Sequence, residues 1–171
     1  IEVISEIVKI DGVDAIAFAD DWGTQNALMI SPELWQSVFK PWYARQFEVV
    51  RLAGKDVLFH SCGKVNDIIK DLIDIGANIL NLNQPRLIGI EWLADNFGGK
   101  VCFMCPVDMQ TTIIYGSIEE IQLEAEYLVK RLGGYNGGFI PCMDEGVDHG
   151  YVPKENIRAM EEAFKRIIMD K

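Results

Sequence analysis

The 171 residues carry a net charge of −10, and 49% of them are hydrophobic. That acidity excludes a basic nucleic-acid-binding face, no apolar run reaches the ~18 residues that span a bilayer, and a chain of this size buries enough apolar surface to read as one domain. The four cysteines lack a disulfide-framework spacing, which suits a reducing compartment and makes the cytoplasm the expected setting.

In chain order, residues 2–10 read as the end of a helix, with Ile4, Ile7 and Val8 on one side and Asp11-Gly12 as its stop. No secretory leader is recognisable. Because Ile1 already lies inside this pattern, the chain reads as part of something longer. Asp14 to Ala19 is a short apolar strand running into Asp20-Asp21-Trp22-Gly23. Ser31-Pro32-Glu33 opens a helix with an N-cap serine, proline at the first position and an acid in the first turn. Leu34, Trp35, Val38, Phe39, Trp42, Tyr43 and Phe47 form its wide apolar face, Pro41 is expected to kink it, and Gly54 ends it.

The same unit recurs. Strand 56–59 precedes a helix from Val65 to Ile75, and strand 77–82 precedes a short helix from Ile90 to Asn96. Strand 100–105 is followed by a capping box at Ser117–Glu120 that opens a helix to Leu132. Strand 138–142 leads to a last helix over 153–169, with Ile157, Met160, Phe164 and Ile167 inward. Short, continuously apolar strands alternating with helices imply a parallel α/β sheet buried on both faces. Their spacing suits a (β/α)8 barrel of the TIM type, of which five βα units are present here. The expectation is the C-terminal part of such a barrel, filling residues 1–171.

Chemistry in such barrels gathers at the C-terminal ends of the strands. Those ends supply Asp20 and Asp21, His60 and Cys62, Gln84, Asp108, and finally Cys142, Asp144 and Glu145. Any one of these alone reads equally well as an ordinary solvated loop residue. The sharpest signal is His60-Ser61-Cys62, because side chains two apart on a strand share a face. An imidazole and a thiolate aimed at one point make half of a zinc site; the bland alternative is a satisfied core histidine beside a small buried thiol. A catalytic zinc takes a third protein donor, for which Cys142 and Glu145 are the candidates. Cys102 and Cys105 are discounted as a zinc or redox pair, since a spacing of three places them on opposite faces of one apolar strand; they read as core cysteines, with Cys105, near the strand end, still able to face the site. Asp21, Gln84 and Asp108 are candidates for orienting substrate or moving a proton, or equally for structural hydrogen bonding. His149 reads as a solvated loop residue, with a substrate contact as the alternative, and the tryptophans as packing, Trp22 excepted for its place beside the acidic pair.

Asp20 to Gln25 with Ile30-Ser31-Pro32-Glu33, His60-Ser61-Cys62-Gly63, Asn83-Gln84-Pro85, Gly137 to Ile140 and Val152 to Ile157 together resemble the uroporphyrinogen decarboxylase superfamily. The resemblance covers nearly the whole chain, with its motifs in order. One branch decarboxylates uroporphyrinogen without a metal, using groups from an N-terminal half. In the other, the cobamide-dependent methyltransferases, His-x-Cys and a later Cys bind zinc, and His60 and Cys62 stand on that pair. Aligning Gly138-Phe139-Ile140 with the family strand places Glu145 where relatives carry Cys or His, with Cys142 three residues earlier. The resemblance therefore implies a zinc-dependent transfer of a methyl group between a small O- or S-methyl compound (a methyl ether, methanol or a thiol such as coenzyme M) and a corrinoid carried by a partner protein. Glu in place of thiolate makes the ion a harder Lewis acid and favours the ether-type donor. The alternatives are the decarboxylase, or a relative that binds without catalysis. Open sheet edges are expected to be capped by a second copy or by further chain.

Overall fold

The computed structural model describes residues 1–142 and 151–169. Asp144, Glu145 and His149 lie outside the described residues. The order is α1 (Glu2–Ile7), β1 (Ala15–Ala19), α2 (Pro32–Leu34), a π-helical segment (Trp35–Phe39), α3 (Lys40–Leu52), β2 (Asp56–Ser61), α4 (Asn66–Asp74), β3 (Ile79–Leu82), α5 (Pro85–Ile88), α6 (Ile90–Phe97), β4 (Cys102–Cys105), α7 (Thr112–Tyr115), α8 (Ile118–Leu132), β5 (Phe139–Pro141) and α9 (Lys154–Met169). Each strand is followed by helix, and the strand order in the sheet is β1-β2-β3-β4-β5, as along the chain. No described helix is long and apolar enough to cross a membrane. The chain divides into two compact units, Ile1–Asn81 and Leu82–Lys171.

In the first unit β1 and β2 run parallel, with Ala15 opposite Asp56 and Ala19 opposite His60. Along β2, Val57, Phe59 and Ser61 are buried while Leu58 and His60 are half-buried. The Phe59 ring lies 5.2 Å from Tyr43 and 6.1 Å from Phe47, in a core that also buries Trp35 and Val50. Full burial of each such side chain contributes about 2–3 kcal/mol. The expectation of strands buried on both faces is thus corrected: helices cover one face, and the other, bearing His60, is more open.

The aromatic helix also differs from expectation. Trp35, Tyr43 and Phe47 are buried, but Leu34, Val38 and Trp42 form an exposed neighbouring stripe. Just before Pro41 the helix widens into the π segment, where the Lys40 N–H reaches back five residues to the Trp35 carbonyl. The π turn precedes the one residue that has no N–H to give, which is where kinks arise.

In the second unit β4 and β5 run parallel, Phe103 opposite Phe139 and Cys105 opposite Pro141. Phe103 is buried, as are Ile121, Ala125, Leu128 and Leu132 of α8 and Met160 and Phe164 of α9, the two helices packing on each other. The capping box forms as expected: Ser117 Oγ accepts from the Glu120 N–H at 3.2 Å, and Glu120 Oε2 accepts from the Ser117 N–H at 2.7 Å. Three strands are shorter than expected because turns claim their ends. The Ala77 N–H returns to the Leu72 carbonyl of α4, the Lys100 N–H to Phe97, and Gly138 holds a positive φ of 85° immediately before β5.

Candidate metal centre

The site is built on a crossing of two main chains. The loop after β1 lies against the loop after β2, joined by hydrogen bonds from the Asp20 N–H to the His60 carbonyl (3.2 Å), Gly23 N–H to the Cys62 carbonyl (3.2 Å) and Lys64 N–H to the Thr24 carbonyl (2.8 Å). The Trp22 N–H adds a bond to Ser61 Oγ at 3.0 Å. Gly23 and Gly63 meet at the crossing. A Cβ on Gly23 would lie 2.5 Å from the Gly63 carbonyl carbon, and one on Gly63 would lie 2.2 Å from the Gly23 oxygen. Gly63 also has φ +78°, a region that disfavours side chains.

This crossing delivers three donors to one place. His60 Nε2 lies 3.7 Å from Cys62 Sγ and 3.5 Å from Asp21 Oδ1, and all three ligand atoms are within 4.8 Å of one another. Zinc–nitrogen, zinc–oxygen and zinc–sulfur bonds of ordinary length, held tetrahedrally, separate N from S by about 3.6 Å and N from O by about 3.4 Å. The donor set and its spacing fit zinc. Asp21 Oδ1 accepts the Cys62 N–H at 2.8 Å, and His60 Nδ1 lies 2.6 Å from Asn81 Oδ1.

The adjacent acids part company. Asp20 Oδ2 accepts the Tyr43 hydroxyl at 2.6 Å, and Tyr43 in turn accepts the Trp22 indole N–H at 3.0 Å. Burial first, and the Asp20 carboxylate second, push the Tyr43 hydroxyl well above its ordinary pKa. Trp22 packs edge-on against Phe39 at 4.5 Å; it serves the aromatic core and anchors the loop that carries Asp21.

The other sequence candidates lie in the second unit. Cys142 is half-buried, its N–H 3.4 Å from the Cys105 carbonyl. Gln84 is buried ahead of Pro85, its main-chain oxygen accepting from Leu87 and Ile88. Asp108 is buried, and its Oδ2 accepts from the Thr111 N–H (2.8 Å) and hydroxyl (2.5 Å) at the start of α7. The Asp108 N–H donates to Glu124 Oε1 at 3.1 Å, and Glu124 pairs with Arg86 at 3.0 Å. Cys102 and Cys105 differ in burial as their parity requires, and burial pushes the Cys105 thiol well above its ordinary pKa, leaving it neutral. Sequence reasoning missed Asn81. Its signal was an amide inside the apolar run Ile79-Leu80-Asn81-Leu82.

The uroporphyrinogen decarboxylase family profile matches residues 1–167. The uroporphyrinogen decarboxylase of Chlorobaculum tepidum is 26% identical over 158 residues, 90% of this chain and 42% of the relative. That of Chlorobium luteolum is 26% identical over 170 residues, 95% of this chain and 46% of the relative. A solved methyltransferase from Methanosarcina mazei superposes with a TM-score of 0.71 at 20% identity, over 98% of this chain and 46% of that one, a likeness of fold. The chain spans less than half the length of the curated relatives it matches.

Proposed function

Because the chain belongs to the uroporphyrinogen decarboxylase family, we propose that it is the C-terminal part of a (β/α)8 barrel that performs zinc-dependent methyl transfer, between a small O- or S-methyl compound and the corrinoid of a partner protein. The observation that carries this reading is the convergence of His60, Cys62 and Asp21 at zinc-compatible spacing. His60 through Nε2 and Cys62 through its sulfur would hold the ion. Asp21 is the third donor that stands beside them, and Cys142 and Glu145 are the ones the sequence offers. Zinc there supplies Lewis acidity, drawing charge from the oxygen of a methyl ether or alcohol, or keeping a thiol as thiolate.

The chain's own groups do the positioning. The Cys62 N–H holds one oxygen of Asp21, which leaves the second to take the proton that a thiol acceptor loses or, when protonated, to give the one that a departing alkoxide gains. Gln84 and Asp108 are proposed to orient the substrate from their strand ends. The rim would dock the corrinoid protein, and the four cysteines, none of them in a disulfide, suit the cytoplasm. Pairing of edge strands between two copies is the proposed oligomeric state; a strictly monomeric mass by light scattering overturns it.

Decarboxylation of a porphyrinogen is the second reading, favoured by the names of the matched relatives. It calls for arginines that bind carboxylates. Arg86, the arginine nearest the C-terminal end of a strand, is already paired with the buried Glu124, which weighs against it. Elemental analysis of protein purified without added metal tests the choice. About one zinc per chain, lost in His60→Ala and Cys62→Ser, is expected. Asp21→Asn, Cys142→Ser and Glu145→Gln then identify the third donor. An intact, folded protein free of zinc overturns methyl transfer in favour of the decarboxylase or of a non-catalytic binding role.

A further inference from the structure

We propose that Asn81 is a positioning residue that fixes the neutral His60 ring as its Nδ1–H tautomer and so presents the Nε2 lone pair to Asp21 and Cys62. The functional meaning of this lock rests on the zinc reading above; its geometry does not.

The sequence already poses the question. β3 is Ile-Leu-Asn-Leu, and an amide in such a strand costs free energy unless it finds a partner. Leu80 and Leu82 are buried, which leaves Ile79 and Asn81 on the opposite, half-buried side. The same alternation in β2 puts His60 on its half-buried side. On these two strands, neighbours in the sheet, the amide and the imidazole meet, Asn81 Oδ1 standing 2.6 Å from His60 Nδ1.

The two ring nitrogens are then unequal. Nδ1 has a short contact with an atom that can only accept, so the proton belongs there. Nε2 has Asp21 Oδ1 at 3.5 Å and Cys62 Sγ at 3.7 Å, and its distance to the oxygen exceeds the 2.7–3.2 Å of an N–H···O bond. Asp21 Oδ1 is meanwhile held by the Cys62 N–H at 2.8 Å. A proton on Nε2 would find only the long, weak contact to the Cys62 sulfur and would block the donor position. Histidines that ligate metals commonly give their other N–H to such an outer partner, which sets tautomer and ring direction. Here the amide of a neighbouring strand stands ready for that part.

The test begins with metal-free protein carrying 15N-histidine. The chain has only two histidines, so His149→Gln assigns the signals. With both rings neutral, His60 is expected to show a pyrrole-like Nδ1 and a pyridine-like Nε2. Asn81→Leu should move both resonances toward the averaged values of a ring exchanging tautomers, and Asn81→Asp, which keeps an acceptor, should restore the wild-type pattern. An Nε2–H ring in the wild type, or an unchanged pattern in Asn81→Leu, overturns the proposal. If Asn81→Leu does not fold, Asn81→Ala removes the acceptor in its place.

A second readout is zinc affinity, measured by competition with a chelating dye. It should fall about 10–100-fold in Asn81→Leu and recover in Asn81→Asp. Equal affinity in all three proteins overturns the assigned role of Asn81. Zinc binding by none of them overturns the zinc reading while the tautomer result stands on its own.

Discussion

Cys62 enters the site twice, through its sulfur beside His60 and through its N–H on Asp21. The first was legible in the sequence, because two residues apart on a strand means one face. The second was not: a main-chain amide leaves no trace in residue identity, so Asp21 could be read as a strand-end acid but not as a neighbour of the pair. Asn81 escaped for a related reason, since its part depends on the register of a neighbouring strand. Reactivity should follow burial here. Iodoacetamide applied to the native protein, followed by peptide mass mapping, is expected to label half-buried Cys62 well before Cys105, whose neutral thiol is wholly enclosed. Gly63→Ala should cost at least about 2 kcal/mol in urea denaturation, combining a left-handed backbone with a Cβ driven against Gly23.

Between elements, polar ties complement apolar packing. Lys40, at the start of α3, reaches Asp71 of α4 at 2.5 Å, and Gln36 of the π segment adds a bond at 2.8 Å. Burial pushes the Asp71 carboxyl up, but these hydrogen bonds and the Lys40 charge outweigh it and hold the group below its ordinary 3.8. A carboxyl lowered on folding adds stability that is complete above the unfolded pKa and fades as pH falls through the folded one. Lys40→Met should therefore cost about 0.5–1 kcal/mol at pH 7 and lose less stability than wild type on acidification below about pH 4, both read by denaturant titration. In the second unit, buried Asn156 of α9 donates to the carbonyls of Ile113 (2.9 Å) and Gly116 (3.3 Å). Asn156→Ala should cost about 1–3 kcal/mol by leaving those acceptors unpaired. The main helices were legible from their caps, Ser31-Pro32 and Ser117–Glu120. The four-residue α5 and α7 were not, being too short for any periodicity, and the π segment is hidden because its aromatic stripe fits a wider turn as well as an α-helical one.

For the whole molecule, alternation of strand and helix in chain order carried the fold class from sequence to structure with little change, because parallel pairing needs a crossover each time. What did not carry over was burial, since continuous apolar character cannot say which face the helices cover. Metal binding should couple to stability at this scale. At a hundredfold excess of free zinc over its dissociation constant the gain is about 2.7 kcal/mol, or roughly 5–10 °C in melting temperature for a chain of this size. Calorimetry should show that gain removed by a chelator and absent in His60→Ala. The contact of Gly23 with Gly63 sets a further condition. Where two backbones touch with no side chain between them, their separation already stands at its steric minimum. Substitution at either glycine can spread the donors apart, but none can draw them closer, so adjustment at this joint runs one way, toward a larger ion or a looser grip.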